Sequence, residues 1–178
     1  GVTRADFEQK ITDGSVAVIR PMLPTDRDDL LALHDRASDQ SLYLRFFSSG
    51  RRAAHDYVDH LQGDTGTLAL VALTHEGLVG LATAEPVGPD VAEVAFLVDE
   101  AHHGLGLGSL LLEHLAAAGR DHGFHRFEAE VLAENHKMIG VFREAGFTVT
   151  RSTEFGSTHL DMDTLASARA VDAADARE

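Results

Sequence analysis

The chain has 178 residues, with 15 Lys and Arg against 29 Asp and Glu for a formal charge of −14, 11 His and no Cys. Its length suits one domain with a core of its own, and 44% hydrophobic with 25% charged residues is ordinary globular composition, not that of a disordered chain. Without cysteine there is no disulfide framework, thiolate metal site or cysteine nucleophile; the acid excess argues against nucleic-acid binding, which needs clustered Lys and Arg; and no apolar run approaches the roughly 18–20 residues of a membrane span.

Residues 1–14 are polar and mixed, and read as a lead-in without the pattern of a signal peptide, so a cytoplasmic protein is expected. Gly rather than Met at position 1 suggests a processed or excised chain. Ser15–Arg20 reads as a strand stopped by Pro21, and Thr25-Asp26 opens a helix carrying Leu30, Leu31 and Leu33. Residues 51–62 give a second helix with Tyr57, Val58 and Leu61 on one face. Three strands follow, Thr67–Thr74, Leu78–Glu85 and Val91–Val98, separated by His75-Glu76-Gly77 and by Pro86–Pro89. A glycine-rich turn leads into a Leu/Ala-rich helix ending near Gly123. His125–Leu132 is a strand and Glu134–Ala145 a short helix capped by Gly146. Phe147–Phe155 and Thr158–Asp163 close the pattern, and residues 164–178 read as a tail or linker without a core face. The order β-α-α-β-β-β-α-β-α-β-β describes an α/β sheet protein with helices packed on the sheet.

The strongest chemical signal is the passage from Val91–Val98 through Asp99–His103 to Gly104, Gly106 and Gly108, and on to Ser109 at a helix start. Such glycines let backbone N–H groups approach a ligand, and a helix N-terminus favours phosphate, so the turn is a candidate pyrophosphate cradle. Neither GxxxxGK[ST] nor GxGxxG is matched. The bland alternative is that three glycines merely make a tight turn.

The stretch 103-HGLGLG-108 resembles the acyl-CoA-binding motif (Q/R)xxGx(G/A) of the GNAT acyltransferases, with His103 in the Gln/Arg place. The segment 135-NHKMIGVFREAGF-147 resembles the family's late-helix signature at the right distance. The likeness covers residues 15–163. It implies a mixed, mostly antiparallel sheet of about seven strands with about four helices, whose splayed central strands form an acyl-CoA slot. Residues 19–38, 41–48 and 92–115 look like the acetyltransferase domain of bacterial protein lysine acetyltransferases. That likeness implies acetyl-CoA as donor and a protein acceptor presenting a lysine, such as an AMP-forming acyl-CoA synthetase. It also implies a fused acyl-CoA-synthetase-like domain, for which this chain has no room.

Acetyl transfer to lysine needs a base, because the free amine is about 99.9% protonated at neutral pH. Glu93 is the candidate: it sits in an otherwise apolar strand, where the resemblance places the family's catalytic Glu. An outward-facing strand carboxylate is the alternative. The resemblance gives the oxyanion to the Val98 N–H and the slot lining to Phe96 and Leu97, both of which also suit plain core packing. It gives cofactor contacts to His103, Gly104, Leu105, Gly106, Leu107, Gly108 and Ser109 in the turn, and to Asn135, Met138 and Phe142 in the late helix. Phe142 stands where many members carry a Tyr general acid, while Tyr43 and Tyr57 lie far upstream. Asn135 reads equally as a helix cap. Arg45 is a candidate for the acceptor groove, and Arg51, Arg52, Lys137 and Arg143 for the 3′-phosphate. No His-x₃-His or HExxH pattern exists, the histidines read as surface residues, and no metal is expected. Two other readings compete with protein acetylation: acetylation of a small amine, and a non-catalytic acyl-CoA-sensing module.

Overall fold

The computed structural model describes residues 7–10, 16–37, 51–63, 66–104, 106–152 and 156–165. In chain order they form β1 (Phe7–Lys10), β2 (Val16–Pro21), α1 (Arg27–Arg36), α2 (Arg51–Gly63), β3 (Leu68–Thr74), β4 (Gly77–Pro86) and β5 (Val91–Val98). Then come α3 (Leu107–Asp121), β6 (Arg126–Leu132), α4 (His136–Glu144), β7 (Thr148–Ser152) and β8 (Ser157–Asp163). Single turns of 3-10 helix, Pro24–Asp26 and Glu100–His102, precede α1 and follow β5.

The strands make one sheet in the order β1-β2-β3-β4-β5-β6-β8-β7. Only the β5–β6 pairing is parallel, so the mixed, mostly antiparallel α/β architecture expected from the sequence is the one observed. One strand is additional. Phe7–Lys10, read as part of a lead-in, pairs with β2, Phe7 standing opposite Ile19. The four residues FEQK lack the alternation that announces a strand. At the other end Thr164, read as tail, is buried, its hydroxyl donating to Phe124 O at 2.8 Å and its N–H to His125 O at 3.1 Å. Packed structure therefore continues beyond Asp163.

β3 and β4 are apolar almost throughout and are buried on both faces. One face packs α3 and α4, gathering Val94, Phe96, Leu111, Leu115, Phe127, Phe142 and Leu160. The other packs α1 and α2, with Leu30, Leu33, Val58 and Leu61 against Val71, Leu81 and Leu97. That second cluster draws on β3, β4 and Leu97 and on nothing from β6 or β8. Entry into α1 is set by Asp26, which accepts two hydrogen bonds of 2.8 Å from Arg20 and one of 2.7 Å from the Leu23 N–H. The Arg20 guanidinium holds the Asp26 carboxyl below the usual carboxylate range. His34, His102, His114 and His159 are buried, contrary to the expectation of surface histidines.

Gly119 lies inside α3, where an added Cβ would stand 2.5 Å from Cζ of the fully buried Phe127. In an open helix Gly→Ala gains about 0.5–1 kcal/mol. Here Gly119→Ala is expected to cost about 1–3 kcal/mol through overpacking, a reversal of sign that urea denaturation reads directly.

Candidate active site

β5 and β6 pair at three positions only: Val91 with Arg126, Ala92 with Phe127, and Glu93 with Glu128. Beyond Glu93, β5 keeps its ladder to β4 as far as Val98 opposite Gly80, and β6 keeps its ladder to β8 as far as Leu132 opposite Ser157. Each strand follows its outer neighbour, and a gap opens between them. In an antiparallel ladder, alternate residues direct their backbone groups to opposite sides. The Asp99 N–H donates to Val79 O at 2.8 Å, so Asp99 and Leu97 face β4. Phe96 and Val98 therefore turn their N–H and C=O groups toward the gap, where no β6 residue pairs with either.

The loop leaving β5 is pinned from both sides. Arg36, in the last turn of α1, donates to Asp99 Oδ2 at 3.0 Å and to Leu78 O at 3.1 Å. The His103 ring bonds through Nε2 to Val98 O at 2.8 Å, so this side chain ties the turn to the strand. Gly104 and Gly106 have φ of +82° and +83°, the left-handed region that favours glycine. Gly108 serves differently. A Cβ there would lie 3.0 Å from Phe96 and 3.1 Å from Val141, so its absence lets the start of α3 seat against β5 and α4. No side chain caps α3, and its first bond joins the Leu110 N–H to Gly106 O. The N–H groups of Leu107, Gly108 and Ser109 thus have no acceptor within the helix, which makes this end able to receive an anion. Leu105 lies outside the described residues, as do Arg45, Tyr43 and the segment 41–48.

Several residues with expected ligand contacts have protein partners. The Ser109 hydroxyl donates to Glu144 Oε2 at 3.1 Å, joining α3 to α4. Asn135 Oδ1 accepts the Met138 N–H at 3.1 Å and so caps α4. Met138 is half-buried against the first core cluster, and Leu107 is fully buried. Phe142 is buried edge-on between Phe96 (centroids 5.3 Å apart) and Phe147 (4.9 Å). Lys137 and Arg143 are exposed on α4.

Glu93 occupies the last paired position before the gap, on the face opposite α3. It is open to solvent, and its neighbours on that face are acidic: Glu85 stands opposite it on β4 and Glu128 beside it on β6. Partial desolvation, then the charges of Glu130, Glu85 and Glu128, push its carboxyl above the usual glutamate range, against a downward pull from His159. Around it, His60 of α2 bonds Glu85 at 2.5 Å and the Tyr57 hydroxyl meets Thr83 Oγ1 at 2.6 Å. Arg126 donates to Glu128 at 2.9 Å and lies 3.8 Å from Asp161. Glu128, His159 and Asp161 each offer one ligand atom within 4.8 Å of the others, and the Arg126 guanidinium supplies positive charge there. Glu85, Glu128, Glu130 and His159 were not singled out as site residues from the sequence. Only strand register brings them to Glu93.

A mixed sheet parted between two central strands, with a glycine turn and a bare helix start at the mouth of the gap, is an arrangement able to receive an extended ligand with an anionic end. The family model described as Acetyltransferase (GNAT) family matches residues 33–147, and the chain belongs to that family of N-acetyltransferases. It is similar to the GNAT domain of Streptomyces lividans PAT, with 35% identity, a TM-score of 0.84, and coverage of 92% of this chain and 99% of that one. It is also 29% identical over 160 residues to Acetyltransferase Pat of Mycolicibacterium smegmatis, covering 86% of this chain but 47% of that protein, so it spans about half the length of that relative. The Salmonella typhimurium protein yncA, solved with its cofactor acetyl-CoA, shares the fold at 21% identity and a TM-score of 0.71, over 83% of this chain and 94% of that one. Among the described residues, no helix is long and apolar enough to cross a membrane.

The cap geometry of Asn135 makes a prediction. Asn135→Ala is expected to lower stability by about 1 kcal/mol, while Asn135→Asp, which keeps the acceptor oxygen, holds it near wild type in urea denaturation.

Proposed function

We propose that the chain is an acetyl-CoA-dependent protein lysine N-acetyltransferase in which Glu93 is the general base. One observation carries this reading: Glu93 stands at the last β5–β6 pairing, solvent-open and with raised proton affinity, at the point where the gap begins. A base must combine access with an affinity suited to taking a proton near neutral pH. The open β5 edge fits a pantetheine arm, which carries amides, and the start of α3 fits a pyrophosphate.

In this mechanism the lysine amine adds to the thioester carbonyl as Glu93 takes its proton, directly or through water. The Val98 N–H donates to the oxyanion. Collapse breaks the C–S bond and releases the thiolate, whose conjugate acid is comparable to a free cysteine at about 8.5, so no strong acid is demanded. Buried Phe142 has no proton to give; it backs Phe96 against the gap. The chain has no cysteine to form a Cys-acyl intermediate, which supports direct transfer. The acceptor class, a lysine of an acyl-CoA synthetase, follows from the likeness to bacterial protein lysine acetyltransferases.

The test is acetyl transfer to a purified AMP-forming acyl-CoA synthetase, with the modified lysine mapped by mass spectrometry. Glu93→Gln is expected to lower kcat by about 10²–10⁴-fold while leaving acetyl-CoA affinity near wild type. A carboxyl with raised pKa in the folded state favours unfolding once ionised. Glu93→Gln is therefore expected to melt no lower than wild type at pH 7.5. Turnover of the Gln variant near the wild-type rate would overturn the role of Glu93. Transfer to spermidine but to no protein would establish the small-amine reading instead.

A further inference from the structure

The register of β8 on β6 brings to the same sheet face a histidine that the mechanism above leaves unused. His159 stands opposite Glu130 and Asp161 opposite Glu128, which itself adjoins Glu93. His159 is buried, with Nδ1 2.5 Å from Glu130 Oε1 and Nε2 3.3 Å from Asp161 Oδ2. Both ring nitrogens thus face carboxylate oxygens. A neutral imidazole would set its lone pair against one of them, and only the imidazolium donates to both. The two carboxylates are themselves held: Ser157 donates to Glu130 Oε2 at 2.7 Å and Thr150 to Asp161 Oδ2 at 3.0 Å.

The charges near Glu93 can be taken element by element. β4 contributes Glu85, bonded to His60 of α2. β6 contributes Glu128 and Glu130, with Arg126 turned to Glu128 and Asp161. β8 contributes His159 and Asp161, and Arg151 of β7 is the register partner of His159. On β5 itself Glu93 is the one charged residue. Three glutamates around a carboxyl raise its proton affinity, and a cation among them lowers it.

We propose that His159, clamped as an imidazolium between Glu130 and Asp161, is the positioning residue that keeps Glu93 ionised and ready to accept the amine proton. This rests on the reading of Glu93 as base. His159 neither gives nor takes a proton in the cycle: Glu93 receives the amine proton as the C–N bond forms and later releases it to water. Burial alone would drive the imidazole toward neutrality, but the Glu130 hydrogen bond and the Asp161 charge outweigh it, and its pKa is raised overall. For this role His159 must carry its charge where Glu93 titrates.

The experiment is an NMR titration of the full chain labelled at Glu Cδ and at the imidazole nitrogens. In the wild type, His159 is expected to be protonated throughout the Glu93 titration; a neutral His159 at the Glu93 midpoint would overturn the proposal without any variant. In His159→Gln the Glu93 midpoint is expected to rise by about half a pH unit or more, and in His159→Lys to return toward wild type. The acid limb of kcat/KM on the acyl-CoA synthetase should move with it, so that activity falls more at pH 6 than at pH 8.5. A folded Gln variant with an unmoved Glu93 midpoint would also overturn it. Should the midpoint move while Glu93→Gln retains turnover, the charge coupling stands and the base assignment fails, which separates the two readings.

Discussion

The active-site architecture depends on the point at which β5 and β6 stop pairing. Their parallel contact lasts three residues, and each strand is then carried away by a longer antiparallel ladder, β5 by β4 and β6 by β8. A sheet interior does not normally leave backbone donors and acceptors unpaired, because each buried unpaired group costs about 1–3 kcal/mol. At the gap the His103 ring takes up Val98 O, while no β6 residue pairs with Phe96 or Val98. The parting also places Glu93 where strand geometry is regular enough to hold the side chain and the neighbouring strand has just moved aside.

Aromatic packing below the gap supports this parting. Phe96 projects onto the α3–α4 face, meets Phe142 edge-on, and Phe142 in turn meets Phe147 just beyond α4. The same Phe96 ring crowds the position a side chain at Gly108 would take. The motif glycines thus divide their work. Gly104 and Gly106 supply backbone conformations, whereas Gly108 supplies closeness between helix start and strand. A tight turn and an anion cradle, set against each other in the sequence, are compatible, since packing α3 this closely presents its first N–H groups at the mouth.

Much of this was legible from the residues because local pattern dictated it. Val91–Val98 was read with its observed bounds, and the glycine turn and late helix were recognised by order and spacing. β1 was missed because FEQK shows no alternation and its strand character comes from pairing with β2. The acidic surroundings of Glu93 were missed for a related reason. Glu128 and Glu130 alternate with buried Phe127, Ala129 and Val131, the pattern of any half-solvated strand. That β8 lays His159 and Asp161 beside them follows from register between segments far apart in sequence, which no local periodicity encodes. Tyr57, distant along the chain, reaches Thr83 because α2 docks on β4.

The charge of −14 then acquires a local meaning. A polyanionic ligand and an acidic protein are compatible if the two charges occupy opposite faces of one sheet. The start of α3 offers N–H groups on one side, and Glu85, Glu93, Glu128, Glu130 and Asp161 collect on the other. Gathering carboxylates there destabilises the fold while they are ionised, as the raised pKa of Glu93 records. The same crowding raises proton affinity at Glu93 and makes this face attractive to cations. Within that group the charges of Glu130, Glu85 and Glu128 raise the Glu93 carboxyl, and the charge of His159 acts the other way. The register of β8 on β6 thus sets a buried histidine, held between Glu130 and Asp161, on the same face as these carboxylates.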